Sequence, residues 1–253
     1  MTSLMSGTII ETFLEDDRWL ARLDEPWKLL TACKNLLLSK KSSLRIHPSV
    51  KMERNVTIVG PVSIQQGSRV CNGSYIVGPV LIGKRSTIGP NCFVRPYSIL
   101  GDETRVGPGV ELKNVLVGKQ TAFFHYCSVL DSIIGRNCDI SSGTVTLVSR
   151  HDARNVRIEW DGKLQDTGLR KFGCVIGNDT VLSGNVVVLP GKVIGENCRV
   201  GFNVTVDRNI ANNTFVRPKQ ELEMKKWESP RTRWRTPHFR MEGVPRRNYR
   251  LAG

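Results

Sequence analysis

No apolar run in the 253-residue chain approaches the ~18–20 residues needed to cross a bilayer as a helix. A secretory leader is not expected either. Glu11, Glu15, Asp16 and Asp17 stand where a signal peptide has its basic start and apolar stretch, so a cytoplasmic protein is expected. The seven cysteines are odd in number and include no C-x-x-C pair, which disfavours a disulfide framework or a zinc ribbon. Histidine is scarce as well. His125 and His151 stand 26 residues apart with no third nearby, so no metal site is expected. Glycine and proline together number only 35, and 40% of residues are apolar, which excludes a collagen or a disordered chain.

What is abundant is positive charge, at a net +14. Such a balance points to polyanions, but it is unevenly spread. Residues 217–253 hold eleven Lys/Arg against four Glu, so half of the excess lies in the last seventh of the chain. Nucleic-acid binding by this tail would rest on composition alone and is not expected.

The chain is organised by a repeat. Stepping by six from Ile46 gives Met52, Ile58, Ile64, Val70, Ile76, Ile82, Ile88, Val94, Leu100, Val106 and Leu112, without exception aliphatic. Four residues after each stands a small or β-branched residue in most cases, and glycine often follows the aliphatic one. A period of six suits neither a helix nor an alternating strand. It suits short strands joined by tight corners, three faces to a coil of eighteen residues. Glycine serves corners where φ is positive or backbones crowd. The phase slips by one between Leu112 and Val117 and again before Ile134, then resumes at Ile176, Leu182, Val188, Ile194, Val200 and Val206.

The fold predicted is all-β: a left-handed parallel β-helix of roughly eight coils, with an N-terminal helical cap and a basic C-terminal tail. Residues 1–45 form the cap, with a helix from Pro26 to Leu38 covering the open first coil. Residues 46–211 form the β-helix, interrupted by a loop at 150–174. Residues 212–253 form the tail, opening with a short helical stretch around Glu221–Trp227. Cys92, Cys127, Cys138 and Cys198 occupy the small position of their repeats and read as buried small apolar residues rather than nucleophiles.

Two features depart from the bland surface of a solenoid. Arg95 and Lys113 lie eighteen residues apart, so they stack at one corner, one strand spacing from each other. They are either two solvated charges or a phosphate site, because adjacent cations repel unless an anion lies between or beyond them. His125, in Phe123-Phe124-His125-Tyr126-Cys127-Ser128, is either a structural histidine or a general base.

Val94-Arg95-Pro96, Glu111-Leu112-Lys113-Asn114, His125, Asp131-Ser132-Ile133-Ile134-Gly135, Ser142-Gly143-Thr144, Arg150-His151-Asp152 and Thr167-Gly168-Leu169-Arg170-Lys171-Phe172-Gly173 occur in order. Together they resemble the acetyltransferase domain of the bifunctional N-acetylglucosamine-1-phosphate uridyltransferase / glucosamine-1-phosphate acetyltransferase family, particularly its archaeal-type branch, over residues 24–210. The resemblance implies a homotrimer of β-helices that binds acetyl-CoA between subunits and serves UDP-N-acetylglucosamine synthesis. It places the general base on His125 and the sugar-phosphate contacts on Arg95, Lys113, Lys171, Ser128 and Asp139. Its acetyl-CoA contacts fall on Ser142, Val148 and Gly184. Ser128 replaces a family tyrosine, and Asp139 and Val148 replace asparagines. No nucleotidylyltransferase domain is expected within this sequence, since the 45 residues before the repeat are too few to form one.

The activity expected is acetyl-CoA-dependent N-acetylation of an amino-sugar phosphate such as glucosamine 1-phosphate. The alternative is a catalytically silent β-helix, an assembly or sugar-phosphate-sensing subunit, motivated by the three replacements.

Overall fold

Each hexapeptide makes one short strand because its aliphatic residue turns inward and its neighbours then face out. The computed structural model describes residues 24–40 and 44–227. Three parallel sheets run along a left-handed solenoid of about nine turns. Sheet I has nine strands, from Lys51–Met52 to Phe215–Val216. Sheet II has eight, from Thr57–Val59 to Thr205–Val206, and sheet III has seven, from Val62–Ile64 to Lys192–Ile194. The inward column from Ile64 to Leu112 is at most 2% exposed. No described helix is long and apolar enough to cross a membrane.

Coils of eighteen residues pair Lys51 with Arg69 and Val70 with Ile88. The two phase slips are coils of seventeen, which pair Leu112 with Val129 and Val117 with Ile134. Both lose their residue at the corner between sheets II and III. The same corner throws out residues 147–173 before Ile133 pairs with Val175. It shortens once more near the end, where Ile194 bridges to Ile210 and Arg199 pairs with Phe215. That last shortening moves Phe215–Val216 out of the six-residue step, so the solenoid runs past residue 211 to a ninth coil, one more than the repeat suggests.

The corner between sheets III and I shows why the repeat takes its form. A Cβ on Gly118 would lie 2.5 Å from Arg136 N, and one on Gly101 would lie 2.6 Å from Lys119 N. Glycine is required there by the next coil's backbone. Positive φ falls instead two residues later, at Arg85, Glu103, Gln120 and Asn137. The small position that follows is a hydrogen-bonding ladder. Thr121 Oγ1 donates to Gly135 O at 2.8 Å and accepts from Cys138 N at 3.2 Å. Ser68, Ser86 and Thr180 make equivalent pairs of bonds. The cysteines in these positions are buried as expected, yet they are not simply apolar filler. Cys92 Sγ donates to Gly107 O at 3.0 Å and Cys138 Sγ to Gly177 O at 3.2 Å.

The helix α1 (Lys28–Ser39) forms where expected but does not lie over the first coil. Its buried residues Leu29, Leu30, Cys33 and Leu37 pack against Ile99, Leu116, Ile133 and Val175, on the outer face of sheet III. The strands of that sheet are apolar on both faces, and this outer apolar strip matches the helix stripe. Ile46 and Met52 of the first coil remain 40% and 43% exposed.

The excursion expected as a loop contains a hairpin. Arg157–Trp160 pairs antiparallel with Lys163–Asp166 through Asp161-Gly162, both at positive φ, the two-residue turn that suits hairpin twist. Val156, Ile158 and Phe172 join the core over sheet III. The expected helix at Glu221–Trp227 is not formed; residues 219–227 carry no regular structure and are exposed. The remainder of the tail lies outside the described residues.

The ladder gives a stability test. Thr121→Val keeps the shape but leaves a buried carbonyl and a buried N–H unsatisfied, at a cost of about 2 kcal/mol or more. For a chain of this size that is a Tm fall of roughly 4–8 °C, measured by thermal circular dichroism. Thr121→Ser, which keeps both bonds, should fall by less than half as much.

Candidate functional site

Two corners gather the residues singled out in the sequence. At the corner between sheets II and III, Arg95 follows the strand Phe93–Val94 and Lys113 ends the strand Glu111–Lys113 one coil later. The cations do not face each other bare. Arg95 Nη1 lies 2.9 Å from Glu111 Oε1, and the guanidinium sits over the Phe93 ring, 5.5 Å from its centroid. Lys113 Nζ donates to Asp131 Oδ2 at 2.9 Å and to Oδ1 at 3.2 Å. Each cation therefore meets a carboxylate from the following coil, and the repulsion argument fails for this reason. The sequence signal was present. Glu111 and Asp131 stand sixteen and eighteen residues after their cations, about the one-coil spacing that also stacks Arg95 and Lys113.

The excursion begins and ends at this corner, so Val148 and Lys171 also lie here. Val148 is half-buried and its carbonyl accepts from Phe172 N at 2.9 Å; Lys171, the residue before Phe172, is exposed. The expected grouping of Val148 with Ser142 and Gly184 is not found within one chain. The sheet II strand Val145–Thr146 stands between Val148 and the corner that holds the other two.

The corner between sheets I and II carries His125, Ser142 and Gly184 on successive coils. His125 N donates to Ser142 Oγ at 3.3 Å, and Gly143 N donates to His125 O at 3.0 Å. Asn185 N donates to Ser142 O at 2.8 Å. The imidazole itself is exposed and has no hydrogen-bond partner among the described residues. Phe124 and Tyr126 flank it, 42% and 74% exposed. Beyond the ring the column continues through the small residues Ser142, Gly143 and Gly184, with the Asn185 side chain over Gly143 and the Phe202 ring beside Gly184.

Ser128 lies between the two corners on the outer face of sheet II, in register with Glu111 and with its Oγ 3.4 Å from Glu111 Oε2. Asp139 is exposed on sheet I, between Ala122 and Val181, beside the His125 corner. The strands of sheet II keep His125 and Lys113 apart. Fully extended, the five residues from His125 to Leu130 would span roughly 16 Å, and the turn at Tyr126 shortens that.

The deeply buried thiols offer no nucleophile. Burial pushes Cys33, Cys138 and Cys174 up to about 12 and Cys92 up to about 11. Among the described residues no three His, Cys, Asp or Glu side chains gather as a metal site.

The family described as the GMPPB C-terminal domain matches residues 76–188, and the bacterial transferase hexapeptide family matches residues 173–208. The "Bifunctional protein GlmU" of Methanococcus maripaludis is 44% identical over 204 residues, 81% of this chain and 48% of that protein. Its counterpart in Methanocaldococcus jannaschii is 36% identical over 201 residues, 79% and 48% of the two chains. The "Uncharacterized acetyltransferase YaiX" of Escherichia coli is 32% identical over 206 residues, 78% of this chain and 88% of that one. The chain spans about half the length of the two GlmU proteins.

The burial of the cysteines makes a direct prediction. In the native protein Ellman's reagent should titrate Cys71 alone within minutes, since it is the one cysteine of the seven that is not buried. Six further thiols should appear on denaturation, and early reaction at Cys127 would contradict the packing of the His125 corner.

Proposed function

The chain belongs to the hexapeptide-repeat acetyltransferases, matching the acetyltransferase region of the GlmU type, and from that premise we propose that it transfers an acetyl group from acetyl-CoA to the amine of an amino-sugar phosphate. Glucosamine 1-phosphate is the substrate to test first. The observation that carries this reading is the open imidazole of His125 at the head of the strip formed by Ser142 and Gly184. A pantetheine arm could lie along such a strip and bring its thioester to the ring.

The chemistry asks for a base and for positioning. The sugar amine must lose a proton to attack the thioester carbonyl, and a neutral imidazole can take it. The resulting imidazolium can return the proton to the departing thiolate. The phosphate would be met by Arg95, Lys113 and Lys171, with Ser128 and Asp139 alongside the sugar.

Within one chain the strands of sheet II stand between the two corners. The reading therefore takes the protein as a homotrimer, with the imidazole of one copy facing the cations of its neighbour. Sheet III is already covered by α1 and the hairpin strands. The exposed apolar side chains Val59, Tyr75 and Phe93 stand on sheet II, the face left for another copy.

Replacing the base tests the activity. His125→Ala should lower kcat about 10²–10⁴-fold while Kd for acetyl-CoA stays within a few-fold, with turnover followed by release of free coenzyme A thiol. Activity close to wild type would return His125 to a structural role and favour the silent-subunit reading.

Mixing variants tests the shared site. His125→Ala and Lys113→Ala proteins, each impaired alone, should recover a measurable fraction of activity when co-refolded, because some interfaces then carry both intact residues. Light scattering should give three chains per particle. A monomer, or no recovery, would remove the shared-site arrangement.

A further inference from the structure

We propose that Asp131 is a positioning residue for the anion site: its carboxylate fixes the Lys113 ammonium, and its main chain anchors the segment that carries Lys171. The inference rests on the reading above, in which Lys113 meets the substrate phosphate. Asp131 differs from every other carboxylate at these corners. Its side chain in the pair with Lys113 is 5% exposed, whereas Glu111 opposite Arg95 is 33% exposed. Both of its oxygens are engaged. Oδ1 accepts from Lys113 Nζ at 3.2 Å and from Asn114 Nδ2 at 2.8 Å, and Oδ2 accepts from Lys113 Nζ at 2.9 Å.

Its backbone is fixed as firmly. Asp131 N donates to Lys113 O at 2.8 Å. Asp131 O accepts from Gly173 N at 2.8 Å, two residues beyond Lys171. A Cβ on Gly173 would lie 2.1 Å from Ser132 Oγ and 2.5 Å from Leu130 O, so the returning segment sits directly on this corner. Asp131 has φ +45°, in the left-handed region that Asp and Asn tolerate better than most residues.

The physical consequence lies in the lysine stem. An unheld lysine samples many rotamers, and ordering it when substrate arrives costs affinity. A buried carboxylate accepting from the ammonium orders the stem beforehand. It also draws on part of the charge, which weakens the pull on an incoming phosphate. The proposal is that the ordering outweighs the competition, because the ammonium retains a donor directed away from Asp131 and its side chain is 25% exposed. The opposite sign would be seen if Asp131 merely competed with the substrate.

The test uses the full chain, with glucosamine 1-phosphate and acetyl-CoA as substrates. Asp131→Asn suits the left-handed backbone and can still accept from Asn114, but it loses the charge that holds Lys113. KM for glucosamine 1-phosphate should rise about tenfold, with kcat within about twofold and KM for acetyl-CoA unchanged. In a Lys113→Ala background the same substitution should add less than twofold, since there is no ammonium left to place. If Asp131→Asn does not fold, Asn114→Gly loosens the same carboxylate at a left-handed position. It should raise KM a few-fold, again only while Lys113 is present. An unchanged or lowered KM in the folded variants would overturn the proposal, as would an equal rise without Lys113. If Lys113→Ala itself leaves KM for glucosamine 1-phosphate unchanged, the phosphate reading falls first and this one with it. An effect of Lys113→Ala without one of Asp131→Asn would overturn the positioning role alone.

Discussion

Everything in this chain is subordinate to the spacing between successive coils. Parallel strands can pair only about 4.8 Å apart, so any atom at a corner must share that space with the backbone of the next turn. Glycine at the start of the corner between sheets III and I is one answer, with no room for a Cβ. The hydroxyl or thiol ladder of Ser68, Ser86, Thr121, Cys138 and Thr180 is another, because corner carbonyls and N–H groups that miss the sheet ladders still need partners. The left-handed residues supply the turn itself. The rule of six is thus a rule about backbone crowding and hydrogen bonding as much as about the apolar column.

The corner between sheets II and III is the exception. Each change of coil length occurs there: the two coils of seventeen, the long excursion and the final short coil. The other two corners hold their register through all of them. A corner freed from a fixed length can carry side chains chosen for other reasons, and it is where Arg95, Lys113, Asp131 and Lys171 are found. The His125 corner lies in a regular register by comparison. Its distinction is the run of small residues that follows the ring on the next coils, Ser142, Gly143 and Gly184.

The inward column was legible in the sequence because one aliphatic side chain per strand repeats without interruption, and the phase slips were visible for the same reason. The helix was legible too, from Pro26 and the spacing of its leucines. Where it packs was not. The outward residues Ile99, Leu116, Ile133 and Val175 look like ordinary strand residues until one notices that sheet III is apolar on both faces. The ninth coil escaped because the short corner moved Phe215 and Val216 off the six-residue step. The hairpin escaped because Asp161-Gly162 was absorbed into a charged segment read as loop. At the site, spacing put Arg95 and Lys113 together correctly and left out the carboxylates that answer them.

That omission changes the character of the anion site. Two stacked cations alone would attract any polyanion and would cost stability while empty. With Glu111 and Asp131 in place the column is close to electrically balanced, so long-range attraction is small and recognition depends on geometry. A ligand must offer acceptors where Arg95 and Lys113 present their remaining donors, and it gains little from charge alone. A balanced column is also compatible with an amino sugar, whose ammonium form would be repelled by an uncompensated pair of cations. The two halves of the proposed substrate make opposite electrostatic demands, and a corner in which each cation meets a carboxylate from the following coil is compatible with both.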